Sequence, residues 1–372
     1  MDSEKKEAPN DPTNFGMGAV KSPLDERDFK MEEIAMGVTP FDWDKGFDIE
    51  KELGVKLKPK DQNGSFSCGG QATSKLGAVQ EAMATGSFEE RSAKFVYAQV
   101  FAPGGGSTGR ALMDLYVTQG ICIEDLCSSY QNGKAPSESF MTRAGDITTA
   151  ARADAKKTKA KNYVSVSPDI DSIALAVKLY GGVMIGIDGS NNGTWLSEFP
   201  KPPKDGEGIW RHWLYVGKAK KIKGKKYLGV LNSWGEDAGD DGWQWISEDY
   251  INGDVYDTAI GINQACVWEA WTAVYNPDGV PARYVHNFNK DIAYGQKSEE
   301  VRALQQALQV DGSFPAGFSL NAKDYPVAYY GDMTAQAVLK FRLKYGIDSS
   351  TDPKGRNAGP KTRTKLNELF NK

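Results

Sequence analysis

Helical periodicity fills the first part of this chain and strand-like runs fill the later part, and few architectures accommodate that order. "QATSKLGAVQEAMATG", "EERSAKFVYAQVFA" and "GRALMDLYVTQG" carry apolar or small residues at helical spacing, with glycines as stop signals. "SPDIDSIALAVKLYGG" adds a fourth helix, with Ser167 and Pro168 as its expected cap and first turn. Strands are expected at "VMIGID", "HWLYVG", "KYLGVLNSW" and "GWQWIS", which are rich in β-branched and aromatic residues. Helices followed by strands predict an α+β fold rather than a doubly wound sheet.

The remaining segments set the expected boundaries. Residues 1–20 are charged and turn-rich and read as a flexible leader, with no apolar run of the kind a secretory signal needs. Residues 21–275 form the mixed α and β region. Residues 276–286, within "YNPDGVPARYVHNFNKD", have the Pro, Gly and Asn content of a linker. From 287 to 372 the chain is helical again: "KSEEVRALQQALQVDG" places Val301, Leu304 and Leu308 on one face. "GDMTAQAV" and "GPKTRTKL" then repeat a G-x-x-T-x-x-x-[VL] pattern, each expected to lead a loop into a helix. Three helices in this length suit a small bundle.

Charge follows the same division. Residues 287–372 hold 13 Lys and Arg against 9 Asp and Glu, whereas 1–286 hold 32 against 40. The basic runs lack interleaved aromatics, so nucleic acid is not an expected partner. No window is apolar and long enough for a membrane helix. Four cysteines in 372 residues are not a disulfide framework, and no Cys/His spacing suits a metal, so neither metal nor cofactor is expected. Cys122, Cys127 and Cys266 are expected to be inert thiols.

Cys68 is different. The loop "DQNGSFS" delivers it to a helix start, where free N–H groups and aligned peptide dipoles favour a thiolate. Only two histidines could serve as its base, His286 in the linker region and His212 at the start of an apolar strand. "KAKKIKGKK" is expected to be a solvated hairpin turn that brings Asn232 roughly opposite His212. An asparagine carbonyl beside an imidazole fixes its tautomer, and Cys, His and Asn then form the nucleophile, base and orienter of acyl transfer. Gln62 can donate to an oxyanion beside the Cys68 backbone N–H.

These blocks, "DQNGSFSC", "RHWLYVGKA" and "LNSWGEDAGDDGWQWIS", resemble the papain-like cysteine peptidases in content and order. Cys68 and His212 lie 144 residues apart, within the family's spacing. The resemblance covers about 21–275. It implies a two-lobed fold, a helical lobe and an antiparallel β lobe, and an enzyme that hydrolyses polypeptide through a thioester. By that resemblance Cys68 is the nucleophile, His212 the acid and base, Asn232 the orienter, Gln62 the oxyanion donor and Trp234 a shield for the Asn–His bond. Ser65, Phe66 and Gly69 stand where the family has a disulfide cysteine, a glycine and an aromatic residue. Phe66 would narrow the approach to the thiol, and Gly69 would loosen the helix start. Members often carry a long helical inhibitory propeptide, for which this leader is too short.

Residues 287–372 resemble a peptidoglycan-binding domain of bacterial and phage cell-wall proteins, through "VRALQ", "YYGDMTAQAVLKF" and "GPKTRTKL". Phe341-Arg342 departs from that family's Phe-Gln. Together the two resemblances imply a monomeric endopeptidase held on a bacterial wall, outside the cell or released by phage lysis. The alternatives are an inactive wall-binding or virion protein, and a lysin that cuts peptidoglycan peptides.

Overall fold

A computed structural model describes residues 17–23, 25, 28, 30–31, 40–204, 206–257, 262–275, 286–315 and 328–370. Most of the expected linker, 276–285, and the leader up to residue 16 lie outside the described residues. The chain divides into two compact units. Of the described residues, the larger takes in those from 17 to 23, 40–160 and 165–273, and the smaller takes in 25, 28, 30–31, 161–164 and those from 274 onward.

In the larger unit the longest helices are α1 (Cys68–Thr85), α2 (Ala93–Val100), α3 (Gly109–Thr118) and α4 (Ile170–Tyr180). α1 is buried along most of its length, and its small residues let its neighbours close in. A Cβ on Gly70 would stand 2.7 Å from the Ala93 carbonyl oxygen and 2.9 Å from Tyr97 Cβ of α2. Ser92 and Thr108 cap α2 and α3 by accepting from the N–H of Phe95 and Ala111. α4 is capped by Asp169, which accepts from Asp171 and Ser172, and not by the expected Ser167 and Pro168.

The strands that bear on the site include β1 (Ala19–Val20), β2 (Phe47–Asp48), β3 (Ser107–Thr108), β4 (Val183–Ser190), β5 (Ile209–Ile222), β6 (Lys225–Leu231), β7 (Trp243–Ser247) and β8 (Val267–Val274). β8, β4, β5, β6 and β7 lie in that order in one antiparallel sheet, with β2 added to β5, while β1 and β3 pair separately. β4 is buried on both faces and pairs Ile187 with His212, which places the imidazole well inside the sheet. The expected lysine-rich turn is mostly strand. Only Lys223 and Gly224 turn, both at positive φ (50° and 81°), as a two-residue hairpin requires. The flanking lysines lay their stems on indoles: Lys218 Nζ lies 4.0 Å from the Trp243 ring centroid and Lys220 Nζ 3.8 Å from that of Trp245.

The smaller unit contains α5 (Glu299–Asp311), α6 (Asp332–Lys344) and α7 (Pro360–Phe370), with β9 (Ile292–Ala293) paired to β10 (Asn357–Ala358). Val301, Leu304, Leu308, Val338, Phe341 and Leu366 are buried in it. The repeated threonines are both buried and play matching parts. Thr334 Oγ1 accepts from Gln305 Nε2 of α5 at 3.0 Å, and Thr362 Oγ1 accepts from Arg342 Nε of α6 at 3.0 Å. Arg342 thus repeats the role of Gln305 one helix later. Its guanidinium also bonds the Asp352 carboxylate at 3.1 Å and the Asn357 carbonyl.

Arg342→Met should therefore lower stability by about 2 kcal/mol, because it leaves a half-buried carboxylate, the Asn357 carbonyl and the buried Thr362 hydroxyl without their donor. Chemical denaturation of the intact protein, followed by a probe in the smaller unit, measures this. An unchanged midpoint would show that the guanidinium does not hold α6 to α7.

Candidate active site

The loop before α1 is tied to the sheet end after β6. Gln62 N donates to the Ser233 carbonyl at 2.9 Å, Ser233 Oγ donates to Gln62 Oε1 at 2.5 Å, and Gly235 N donates to the Lys60 carbonyl at 3.1 Å. Asp61 and Trp234 form a bridge between them. Within the loop, Gln62 Nε2 donates to the Ser65 carbonyl at 2.9 Å, and the Ser65 and Ser67 hydroxyls bond each other at 2.7 Å. Ser65, at the family's cysteine position, is thereby fixed by hydrogen bonds.

His212 and Asn232 are brought together as the sequence predicts. His212 Nε2 lies 2.9 Å from Asn232 Oδ1, which also accepts from Ser233 N at 2.8 Å. Both donors meet one carbonyl oxygen, so the proton sits on Nε2 and the Nδ1 lone pair is left for a base. Nδ1 is buried without a hydrogen-bond partner. Trp234 lies 5.1 Å from the imidazole, ring centre to ring centre, tilted 38° to it. Trp210 and Trp195 pack edge-on beside Trp234 at 5.8 and 5.9 Å. Burial holds His212 down at about 4, against a smaller upward pull from the Asn232 bond.

Cys68 opens α1 with its thiol fully buried. The sulfur faces the backbone N–H groups of Trp213 (the residue after His212), Gly18 and Gly69. No Cys68–His212 hydrogen bond is formed. Burial pushes the thiol up to about 11, more than these N–H groups lower it. The helix start therefore does not favour a thiolate here as expected: desolvation outweighs the peptide dipoles at Cys68, and it disfavours the charged form of His212 as well.

The structure places both flanking residues. Gly69 does not loosen α1, which runs unbroken for 18 residues. A Cβ at 69 would meet the Ser107 hydroxyl, stand 2.7 Å from Leu112 Cδ1 and 3.2 Å from Trp213 Cδ1, so neighbouring side chains fill the space of an aromatic residue. Phe66 lies with its ring against Gly105, where a Cβ would stand 2.7 Å from Phe66 Cδ2. Phe66 N donates to Glu138 Oε2 at 2.7 Å, Tyr97 Oη donates to Glu138 Oε1 at 2.8 Å, and Gly106 N donates to Tyr97 Oη at 2.8 Å. That chain of bonds ties the loop before α1 to the turn at Gly106.

The end of the expected leader forms part of this site. β1 runs parallel to β3, pairing Ala19 with Ser107, and Ser107 N donates to the Gly18 carbonyl at 2.9 Å. Gly18 lies so close to the Phe66 carbonyl that no side chain fits there. Beyond β1, Ser22 N donates to Glu269 Oε2 at 2.9 Å, Lys21 Nζ bonds Gln264, and the Pro23 carbonyl accepts from Arg110. The sequence carried one signal for this placement, Gly16 and Gly18 within "FGMGAV", which permit close backbone approach. Sequence reasoning also passed over Ser233 and Gln244. A polar residue between two tryptophans in "GWQWIS" was the available sign of Gln244.

No family model matches the sequence, and no curated protein matches it. Solved structures do. Xylellain, a cysteine protease from Xylella fastidiosa, matches with a TM-score of 0.55 and 18% identity, over 70% of this chain and 97% of its own. Procathepsin B S9 from Trypanosoma congolense matches with a TM-score of 0.50 and 13% identity, over 72% of this chain and 88% of its own. The fold is papain-like. Its helices and antiparallel sheet are the α+β arrangement expected from the order of periodicities.

The buried imidazole gives a measurable sign. In an NMR titration His212 should stay neutral down to about pH 4. The unfolded chain takes up that proton near the ordinary 6.5, so this contribution to stability is full above 6.5 and is lost as pH falls toward 4. Titration of His212 at the ordinary value would contradict its burial.

Proposed function

We propose that the chain is a cysteine endopeptidase, held on bacterial wall material by residues 287–372. The observation that carries the reading is the His212–Asn232 bond, set within a papain-like fold beside the element that opens on Cys68. In this reading His212 Nδ1 takes the Cys68 proton as the sulfur attacks a peptide carbonyl carbon. The oxyanion is met by the Cys68 backbone N–H and the Gln62 amide. Collapse expels the amine, which takes the proton back from His212, and leaves a thioester. Water then attacks the thioester with His212 again as base, and the acid product leaves. Trp234 keeps solvent from the Asn232–His212 bond. One oxyanion donor is worth about 3 kcal/mol of transition-state stabilisation.

A peptide reaches the sulfur only after Gly18 moves, since the Gly18 N–H faces the buried thiol. The covered state is a resting form, anchored by Glu269, Gln264 and Arg110, and substrate competes with it. The full burial of the thiol also favours a second reading, an inactive wall-binding protein.

The first reading predicts that Cys68→Ala abolishes cleavage of an unfolded protein substrate. It also predicts that deleting residues 1–22 speeds iodoacetamide alkylation of Cys68 at least tenfold, with the other three thiols unchanged. Normal cleavage by Cys68→Ala would exclude the nucleophile, and equal alkylation rates would exclude the covering role. For the wall module, the intact chain should sediment with purified peptidoglycan and a chain ending at 286 should not. Equal sedimentation would make the module a structural appendage.

A further inference from the structure

Gln244 lies on β7, fully buried, with no part in the chemistry described so far. Its Nε2 donates to two main-chain carbonyls, Trp195 at 2.6 Å and Ser197 at 3.0 Å. A carbonyl only accepts, so these two contacts admit the NH2 end of the amide and no other. Oε1 is thereby forced to the opposite side, where it accepts from Asn232 Nδ2 at 2.8 Å. Asn232 in turn has its Oδ1 directed to His212 Nε2 at 2.9 Å.

We infer that Gln244 is a positioning residue for His212, acting through Asn232: its anchored amide decides which end of the Asn232 amide faces the ring. The polarity runs in one direction along the chain of groups. With Asn232 turned over, its Oδ1 would face Gln244 Oε1, and its Nδ2 would face the N–H of Ser233. Both contacts are repulsive, and in a site this dry neither is relieved by water. A turned Asn232 would also present a donor to Nε2, which moves the ring proton to Nδ1. That removes the lone pair a neighbouring thiol needs. Gln244 therefore protects the tautomer rather than the fold alone. Ser233 N holds the carbonyl end of Asn232, and Gln244 holds the amino end.

The same side chain ties this polarity to the aromatic cover. Its partner Trp195 packs edge-on to Trp234 at 5.9 Å, and Trp234 lies over His212. Orientation and shielding of the ring thus share one anchor.

The catalytic consequence rests on the peptidase reading, whereas the tautomer does not, and the test separates them. Gln244→Leu and Asn232→Ala are prepared singly and together in the full chain, with Gln244→Glu as a near-isosteric second variant that keeps the acceptor and loses both donors. Nitrogen-15 NMR of the His212 ring at neutral pH should show one tautomer in the parent, protonated at Nε2, and a mixture in both Gln244 variants. An unchanged ring in a folded variant overturns the inference. Kinetically, Gln244→Leu should lower kcat about tenfold with KM within about twofold, the scale of one hydrogen bond. It should cost nothing further when Asn232 is already alanine. Losses that add in the double variant, or that fall on KM, also overturn it. If the parent cleaves nothing, the peptidase reading fails and the ring nitrogens still decide the role of Gln244.

Discussion

The site depends on one tie, the pairing of the Gln62–Ser233 backbones and side chains. It joins a loop that precedes a helix to the end of a strand that follows a hairpin, 171 residues apart in sequence. Through the loop it sets the start of α1, and through Asn232 it sets the imidazole. Each group in the tie is paired and buried, so the loop cannot shift without stranding several polar atoms. A Gly- and Ser-rich loop can follow such a path because its small side chains leave the backbone free to make the bonds.

Burial then decides the electrostatics. Free N–H groups at the head of α1 would draw a proton off an exposed thiol, but desolvation acts on the same sulfur and is the larger effect. It acts on His212 in the same sense, by disfavouring the charged ring. An ion pair therefore has no support while the cleft is covered. Gly18 faces the sulfur with its backbone N–H, whereas the indoles of Trp234 and Trp210 lie against the imidazole.

Much of this was legible in the sequence. Cys68, His212 and Asn232 stand out because the chain has few cysteines and only two histidines, and because a hairpin between two apolar runs pairs the second with the third. The α+β class followed from periodicity alone. What was not legible depends on tertiary space. Gly69 looked like a weak helix start because the indole of Trp213, distant in sequence, fills the gap. The lysine-rich hairpin looked like solvated loop because charge masks the indoles beneath it. Ala19–Val20 reads as leader from composition, yet a two-residue strand needs no pattern of its own when Ser107 and Thr108 supply the partners. Gln244 was hidden for a related reason, since a buried glutamine is explained only by the carbonyls around it.

The account centres on a sulfur that becomes acylated, and this can be observed directly. The full chain, mixed with an activated peptidyl ester and quenched in acid within milliseconds to seconds, is digested and examined by mass spectrometry. The account predicts one acyl group per chain, on the peptide containing Cys68, released by hydroxylamine as a thioester is. No acyl adduct, or one on Cys122, Cys127, Cys266 or a hydroxyl, would contradict it.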